Sequence, residues 1–253
     1  ARRTFLRIVD LTLPINSKMA PLPGIPAYEK HPTRAFPIST ISDAQAKKLR
    51  EDGVEIPSDL EFSNHMLSKL EITTHIGTHI DAPLHMLEDS WAIDDIPLDY
   101  LVRPGRVIPL DIEAGGMVTA EAIEASGVEI DRSVIPILYS GWTEKTWGTP
   151  EFWDNTVYMH KDAAELVASK GVTAVAIDFF PEFPFWRSDV ERPEGQPQGH
   201  NHKILLRQNT IIIQMLTNVS LIGSQPFTLS AVPLKLEGLD GSPARVFASI
   251  HES

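Results

Sequence analysis

The order of hydrophobic runs and helix signals along this 253-residue chain predicts an α/β fold with a mixed β-sheet and flanking helices. Three observations carry that expectation. In the middle of the chain, strand-like runs alternate with capped helical segments, the order that produces parallel strands. Towards the end, several β-rich runs follow one another through turn residues, which adds antiparallel pairing. The composition, 42% hydrophobic and 22% charged, is that of a globular protein with enough chain to bury a sizeable core. A single domain over residues 1–253 is the expectation at this length.

Taken in order, 5–11 (FLRIVDL) reads as a strand, and Pro14, Pro21, Pro23, Gly24 and Pro26 then impose a long irregular stretch. Ser42 with Gln45 three residues on is an N-terminal capping signal, and Gly53 a stop, so 43–51 is expected to be a short helix covering the segment that follows. The central alternation is strand 106–112, helix 120–126 capped by Thr119 and ended by Gly127, strand 134–139, helix 162–170 before Gly171, and strand 173–178. Late strands are expected at 211–216, 227–236 and 245–250, the last two joined through Gly238, Asp240, Gly241 and Pro243. The stretch 193–199 (PEGQPQG) reads as a surface loop leading into His200 and His202.

Inventory excludes several function classes. The net charge of −12, with no Lys/Arg cluster, argues against nucleic acid as a partner. Cysteine is absent, so disulfides, thiolate metal sites and thiol nucleophiles are excluded, and any metal must be held by nitrogen and oxygen. No apolar run reaches the roughly 18 residues of a spanning helix, which argues against a membrane partner. A cytoplasmic location is the default expectation, with any leader removed upstream invisible here. Neither a GxSxG elbow nor a Gly-rich phosphate loop is present.

The chemistry concentrates in eleven residues, HIGTHIDAPLH, from His75 to His85. Their polar members occupy odd positions. In an extended segment side chains alternate between faces, so His75, His79, Asp81 and His85 share one side while Ile76, Ile80 and Leu84 take the other. A helix would also bring His75 and His79 together, but it would swing Asp81 aside, and Gly77 and Pro83 oppose it. The expectation is a strand followed by a turn, with Gly77 leaving the approach to the ligands clear. Two imidazoles and a carboxylate suit Zn²⁺ or Mn²⁺, and a set this small leaves coordination positions open, as catalytic sites require.

At this point the sequence resembles a known family. HIGTHIDAPLH matches the HxGTHxDxPxH signature of the cyclase family, which includes bacterial kynurenine formamidases and isatin hydrolases. A second family element, HxxLL followed by a strand carrying ExLxN, is similar to His202-Lys-Ile-Leu205-Leu206 and Gln214-Met-Leu216-Thr-Asn218, and PLKLEGLDGSPARVFA resembles the family's closing strands. The resemblance implies a swivelling β/β/α fold, His75, His79 and Asp81 as metal ligands, His85 as proton donor and acceptor, and His202 as a second ligand or substrate contact. Dimers are usual in the families this chain resembles, so a homodimer is expected. Formamidase-type members have Glu at the position of Gln214, and a neutral amide cannot bridge two dications as a carboxylate does. One divalent ion, Mn²⁺ first and Zn²⁺ second, is therefore expected, with Gln214 among its candidate ligands.

The implied activity is metal-assisted opening of a small aromatic cyclic amide, isatin to isatinate. The rivals are hydrolysis of N-formylkynurenine and metal binding without catalysis. The aromatic run 179–186 (FFPEFPFW), with Trp142 and Trp147, is the candidate lining for a flat ring, with Trp142 as the substrate contact. His31, His65, His160 and His251 lack partners at informative spacing and read as surface or core residues.

Overall fold

Short runs such as IPILY, AVAI and IIIQ are apolar at successive positions, so strands built from them must be covered on both faces. A computed structural model describes residues 5–19, 21–25, 33–39, 43–55 and 66–252 and shows that this is so. Its strands are β1 (Phe5–Asp10), β2 (Arg34–Ser39), β3 (Met66–Glu71), β4 (His79–Asp81), β5 (Val102–Pro109), β6 (Met117–Val118), β7 (Ile135–Tyr139), β8 (Tyr158–Met159), β9 (Ala174–Ile177), β10 (Ile211–Gln214), β11 (Phe227–Pro233) and β12 (Gly241–Glu252). Eight of them form one mixed sheet in the order β1-β12-β11-β5-β7-β9-β10-β4. β5, β7, β9 and β10 run parallel, and the remaining pairings are antiparallel. The start of β12 also pairs with β4, opposing Gly241 to Asp81 and Pro243 to His79, so the sheet closes on itself. β2–β3 and β6–β8 are separate two-stranded pairs.

Alternation along the central strands divides the interior in two. Ile135, Ile137, Ala174, Ala176, Ile211 and Ile213 face a core inside the closed sheet, with Ile80, Leu229, Val246 and Ala248. Leu138, Val175, Ile177 and Ile212 face the other way, against the helices. The helix Lys161–Ser169 buries Ala163, Ala164 and Val167 on that side, and His200–Arg207 buries Leu205 and Leu206. Truncating a fully buried residue such as Ile137 to Ala would cost about 2–5 kcal/mol.

The α/β class with a mixed sheet is as the sequence predicts. So are the central strand–helix alternation, the helices Asp43–Glu51, Ala120–Ala125 and Lys161–Ser169, and the Thr119 cap, whose side chain accepts from the Ala122 N–H. The expected roles of Ser42, His31 and His65 fall outside the described residues, as does the His251 side chain. None of the helices is long and apolar enough to cross a membrane, among the described residues.

One expectation needs correction. The strand expected from His75 onward is shorter: residues 74–78 bend, only His79–Asp81 is strand, and the expected turn follows as 3₁₀ helix at Pro83–His85. Gly77 causes the bend. Its φ of +56° is left-handed, and a Cβ there would lie 2.9 Å from Met19 Cε. The glycine thus serves a turn packed beneath Leu13, Ile15 and Met19, rather than simply clearing space for a ligand.

Candidate active site

β4 is only three residues long, yet it lies between β10 and β12 and is therefore held on both edges. Alternation sends Ile80 into the inner core and sends His79 and Asp81 together to the helix side. His79 stands opposite Gln214 in the β4–β10 register. His75 arrives from the bend and packs against Gly241, where a Cβ would sit 2.7 Å from its ring. The 3₁₀ turn delivers His85, whose ring lies 3.9 Å from that of His75, centroid to centroid. His202, from the first turn of the helix His200–Arg207, completes the group, 5.5 Å from His85.

Asp81 is fully buried at the centre. His75 Nδ1 is 2.8 Å from its Oδ1, His79 Nε2 3.3 Å from the same oxygen, and His202 Nε2 3.4 Å from Oδ2, to which the Gln214 amide also donates. Each imidazole binds an acceptor on its outer nitrogen. His75 Nε2 donates to Asp240 Oδ2 at 2.9 Å, His79 Nδ1 to the Gly77 carbonyl at 2.7 Å, and His202 Nδ1 to Glu182 Oε1 at 2.7 Å. With their Nδ1 atoms committed, neutral His79 and His202 would aim Nε2 lone pairs at a buried carboxylate. That arrangement repels unless a cation lies between. The donor set therefore fits a divalent metal, and the ligand atoms of His75, His79 and Asp81 lie within 4.8 Å of one another.

Protonation shows the same demand for positive charge. Burial alone would lower the pKa of His202, but Asp81 and Glu182 on its two nitrogens raise it to about 10. His75 behaves likewise: burial opposes, Asp240 and Asp81 overcome it, and the value rises to about 9. For Asp81 burial would raise the pKa, but hydrogen bonds from His202, His75 and His79 hold it well below the usual carboxylate range. Asp240 is lowered chiefly by its hydrogen bond from His75. His85 goes the opposite way, to about 4, first through burial and then through the charges of His75 and His202, against the pull of Asp81 and Asp240. It is a neutral imidazole at pH 7, able to take a proton.

The imidazoles of His75, His79, His85 and His202 open onto a cavity of about 330 Å³. Met19, Pro21, Leu22 and Ile25 line one part of it, and Trp147, Trp153, Phe180 and Phe185 supply aromatic surface. Its polar lining includes His75, His79, His85, Glu182, His202 and Gln214, with no Lys or Arg among the described residues.

The structure thus brings together His75, His79, Asp81, His85, His202 and Gln214. Gln214, however, presents its amide nitrogen to Asp81, and to offer its oxygen to a metal the amide would have to turn over. Trp142 is a correction: it is buried in the core, with its indole N–H donating to the Phe152 carbonyl at 3.1 Å, and it does not line the cavity. Trp153 takes a place there that sequence reasoning did not assign. Asp240 and Glu182 were also missed. Asp240 lies in a Gly-rich turn, where Asp is ordinary, and Glu182 sits inside the aromatic run; the lone carboxylate in FFPEFPFW was the available signal. His160 lies elsewhere, paired with Asp162 at 2.9 Å.

Comparison with known proteins agrees with this geometry. A family model described as "Putative cyclase" matches residues 9–181. The chain is similar to a kynurenine formamidase of Paracidovorax citrulli, 30% identical over 180 residues that cover 71% of this chain and 77% of the relative. It is 29% identical to a kynurenine formamidase of Salinibacter ruber, with the same coverage of both chains. Among solved structures, isatin hydrolase A from Labrenzia aggregata, bound to benzyl benzoate, superposes with a TM-score of 0.73 at 20% identity, covering 98% of this chain and 94% of its own. Asp81 and the imidazoles of His75, His79 and His85 lie inside the matched region, at the head of the cavity, and on these grounds the chain belongs to the cyclase family of metal-dependent hydrolases.

Proposed function

We propose that this protein hydrolyses the C–N bond of a small aromatic cyclic amide, with isatin, opened to isatinate, as the leading substrate. In this reading one divalent cation, Mn²⁺ first and Zn²⁺ second, is held by His75, His79 and Asp81, with His202 and a turned Gln214 as further candidate ligands. Bound there, such a cation polarises a carbonyl and makes water acidic enough to attack at neutral pH. The chain's own residues do the rest. Asp240, Gly77 and Glu182 orient the three imidazoles, and the apolar walls exclude bulk water and stack on a flat ring. His85, neutral at pH 7, takes the proton of the attacking water as its oxygen joins the amide carbon. It returns that proton to nitrogen as the C–N bond breaks, and the second proton of the water passes to solvent as the new acid ionises, leaving a carboxylate and an aniline.

The observation that carries the substrate reading is the cavity's lining: aromatic and apolar, with no Lys or Arg among the described residues to pair with an amino-acid carboxylate. A neutral bicyclic ring suits such walls better than zwitterionic N-formylkynurenine. The second reading is the formamidase, favoured by the names of the curated relatives. Steady-state rates of the Mn²⁺-loaded protein on both compounds separate the two. Isatin is expected to lead in kcat/KM by at least about tenfold, equivalent to about 1.4 kcal/mol of transition-state binding. A preference for N-formylkynurenine transfers the assignment to the formamidase. Metal analysis is expected to find one equivalent per chain, and two tightly held equivalents would refute the single site.

A further inference from the structure

Glu182 is the one carboxylate among the described residues lining the cavity, and only half of it is in use. Its Oε1 accepts two hydrogen bonds from His202, from the backbone N–H at 2.9 Å and from Nδ1–H at 2.7 Å. Its Oε2 is buried and has no hydrogen-bond partner among the described residues, although Glu182 is only 1% exposed. A buried carboxylate oxygen without a donor has lost its hydration and gained nothing in return. Among the described residues the cavity lining supplies no Lys or Arg to satisfy it, and a donor on a molecule that enters the cavity would complete it. Resting on the amide-hydrolase reading above, we propose that Glu182 Oε2 accepts the N–H of the substrate's scissile amide. The residue thereby selects N–H amides over N-alkylated amides and over lactones.

The selection follows from unequal losses. An N–H substrate satisfies the orphaned oxygen, whereas an N-methyl analogue leaves it unsatisfied and sets an apolar group against a charge. In Glu182→Gln the two His202 donors keep the amide oxygen on their side, so the amide NH₂ takes the place of Oε2. A donor then faces the substrate's donor, while an N-methyl compound loses nothing comparable.

The test compares isatin with N-methylisatin on the Mn²⁺-loaded wild type and on Glu182→Gln. The kcat/KM ratio of isatin to N-methylisatin is expected to fall at least about tenfold in the variant. The compounds' intrinsic reactivities cancel in this comparison. So does any loss of folded or metal-loaded protein, because both substrates are read on the same sample. A measurement that needs no variant runs beside it: oxindole is expected to inhibit the wild type competitively at least about tenfold more tightly than N-methyloxindole. An unchanged ratio, or equal inhibition by the two oxindoles, overturns the role of Glu182 while leaving the hydrolase reading intact. Turnover of neither isatin overturns that reading, and this inference with it.

Discussion

Asp240 and His85 show how different the duties of neighbouring side chains in this site are. Asp240 Oδ2 is 2.9 Å from His75 Nε2 and 3.5 Å from His85 Nδ1, so one turn residue touches both a candidate ligand and the candidate proton acceptor. His85→Ala is expected to keep the metal and lose on the order of 10²–10⁴ in turnover, the usual worth of a positioned acid/base group. Asp81→Ala is expected to lose the metal itself, since it removes the buried carboxylate on which His75, His79 and His202 converge. Metal content and kcat measured on both variants check this, and loss of metal from His85→Ala would make His85 a ligand. Asp240→Ala removes the carboxylate that accepts from His75 Nε2, so a weakening of metal affinity by about 10–100-fold is expected, read by competition with a chelator. The candidate ligands His75, His79 and Asp81 were legible in sequence, with His85, because they crowd into eleven residues. Asp240 and Glu182 act across 165 and 20 residues of chain, and neither distance leaves a trace in local spacing.

Elements were legible where a run's apolar pattern decides its own burial, and less so where packing decides the backbone. The runs that became β7, β9 and β10 could only be covered on both faces, which is what parallel strands between two cores provide. The turn after the short strand was legible from Pro83, but the bend before it at Gly77 was not, because alternation of polar residues is blind to the contact with Met19. Thr78 ties these pieces together. It accepts from the Leu13 N–H at 2.8 Å and donates to the Met215 carbonyl at 2.7 Å, fixing the covering loop and the end of β10, where Met215 has a φ of +59°. Asp178, just past β9, is a further joint. Its Oδ1 accepts from the Ser140 N–H and hydroxyl at 2.8 and 2.9 Å, its Oδ2 has no partner among the described residues, and burial pushes its pKa up to about 6. A raised carboxylate pKa contributes stability that is complete below about 3.8 and lost as pH rises through about 6. Asn at this position does not titrate. The melting temperature of Asp178→Asn relative to wild type is therefore expected to climb between pH 4 and pH 7, and a difference flat with pH would show that Asp178 is ionised throughout.

At the scale of the whole molecule, closing the sheet through the β4–β12 pairing puts the charged centre on a strand held at both edges and anchored by Ile80 in the inner core. The fold thereby forces a buried carboxylate and several imidazoles together, and it is stable only if positive charge is supplied. Without metal that charge is protons: His75 and His202, with pKa values raised to about 9 and about 10, are both protonated at pH 7. A raised histidine pKa contributes stability that is complete below about 6.5, the unfolded value, and is lost as pH rises through the folded value. The metal-free protein is thus expected to lose stability steadily from about pH 6.5 to pH 10, over a range where the metal-loaded protein, whose charge does not titrate away, holds its melting temperature. The same exchange must appear as protons in solution, because a ligating imidazole has to be neutral. Calorimetric titration of Mn²⁺ into metal-free protein at pH 7, in buffers of different ionisation enthalpy, is expected to show release of about two protons per ion, one each from His75 and His202. Release of none would mean that both rings are already neutral, and that the acceptors around them do not hold the charge the geometry assigns.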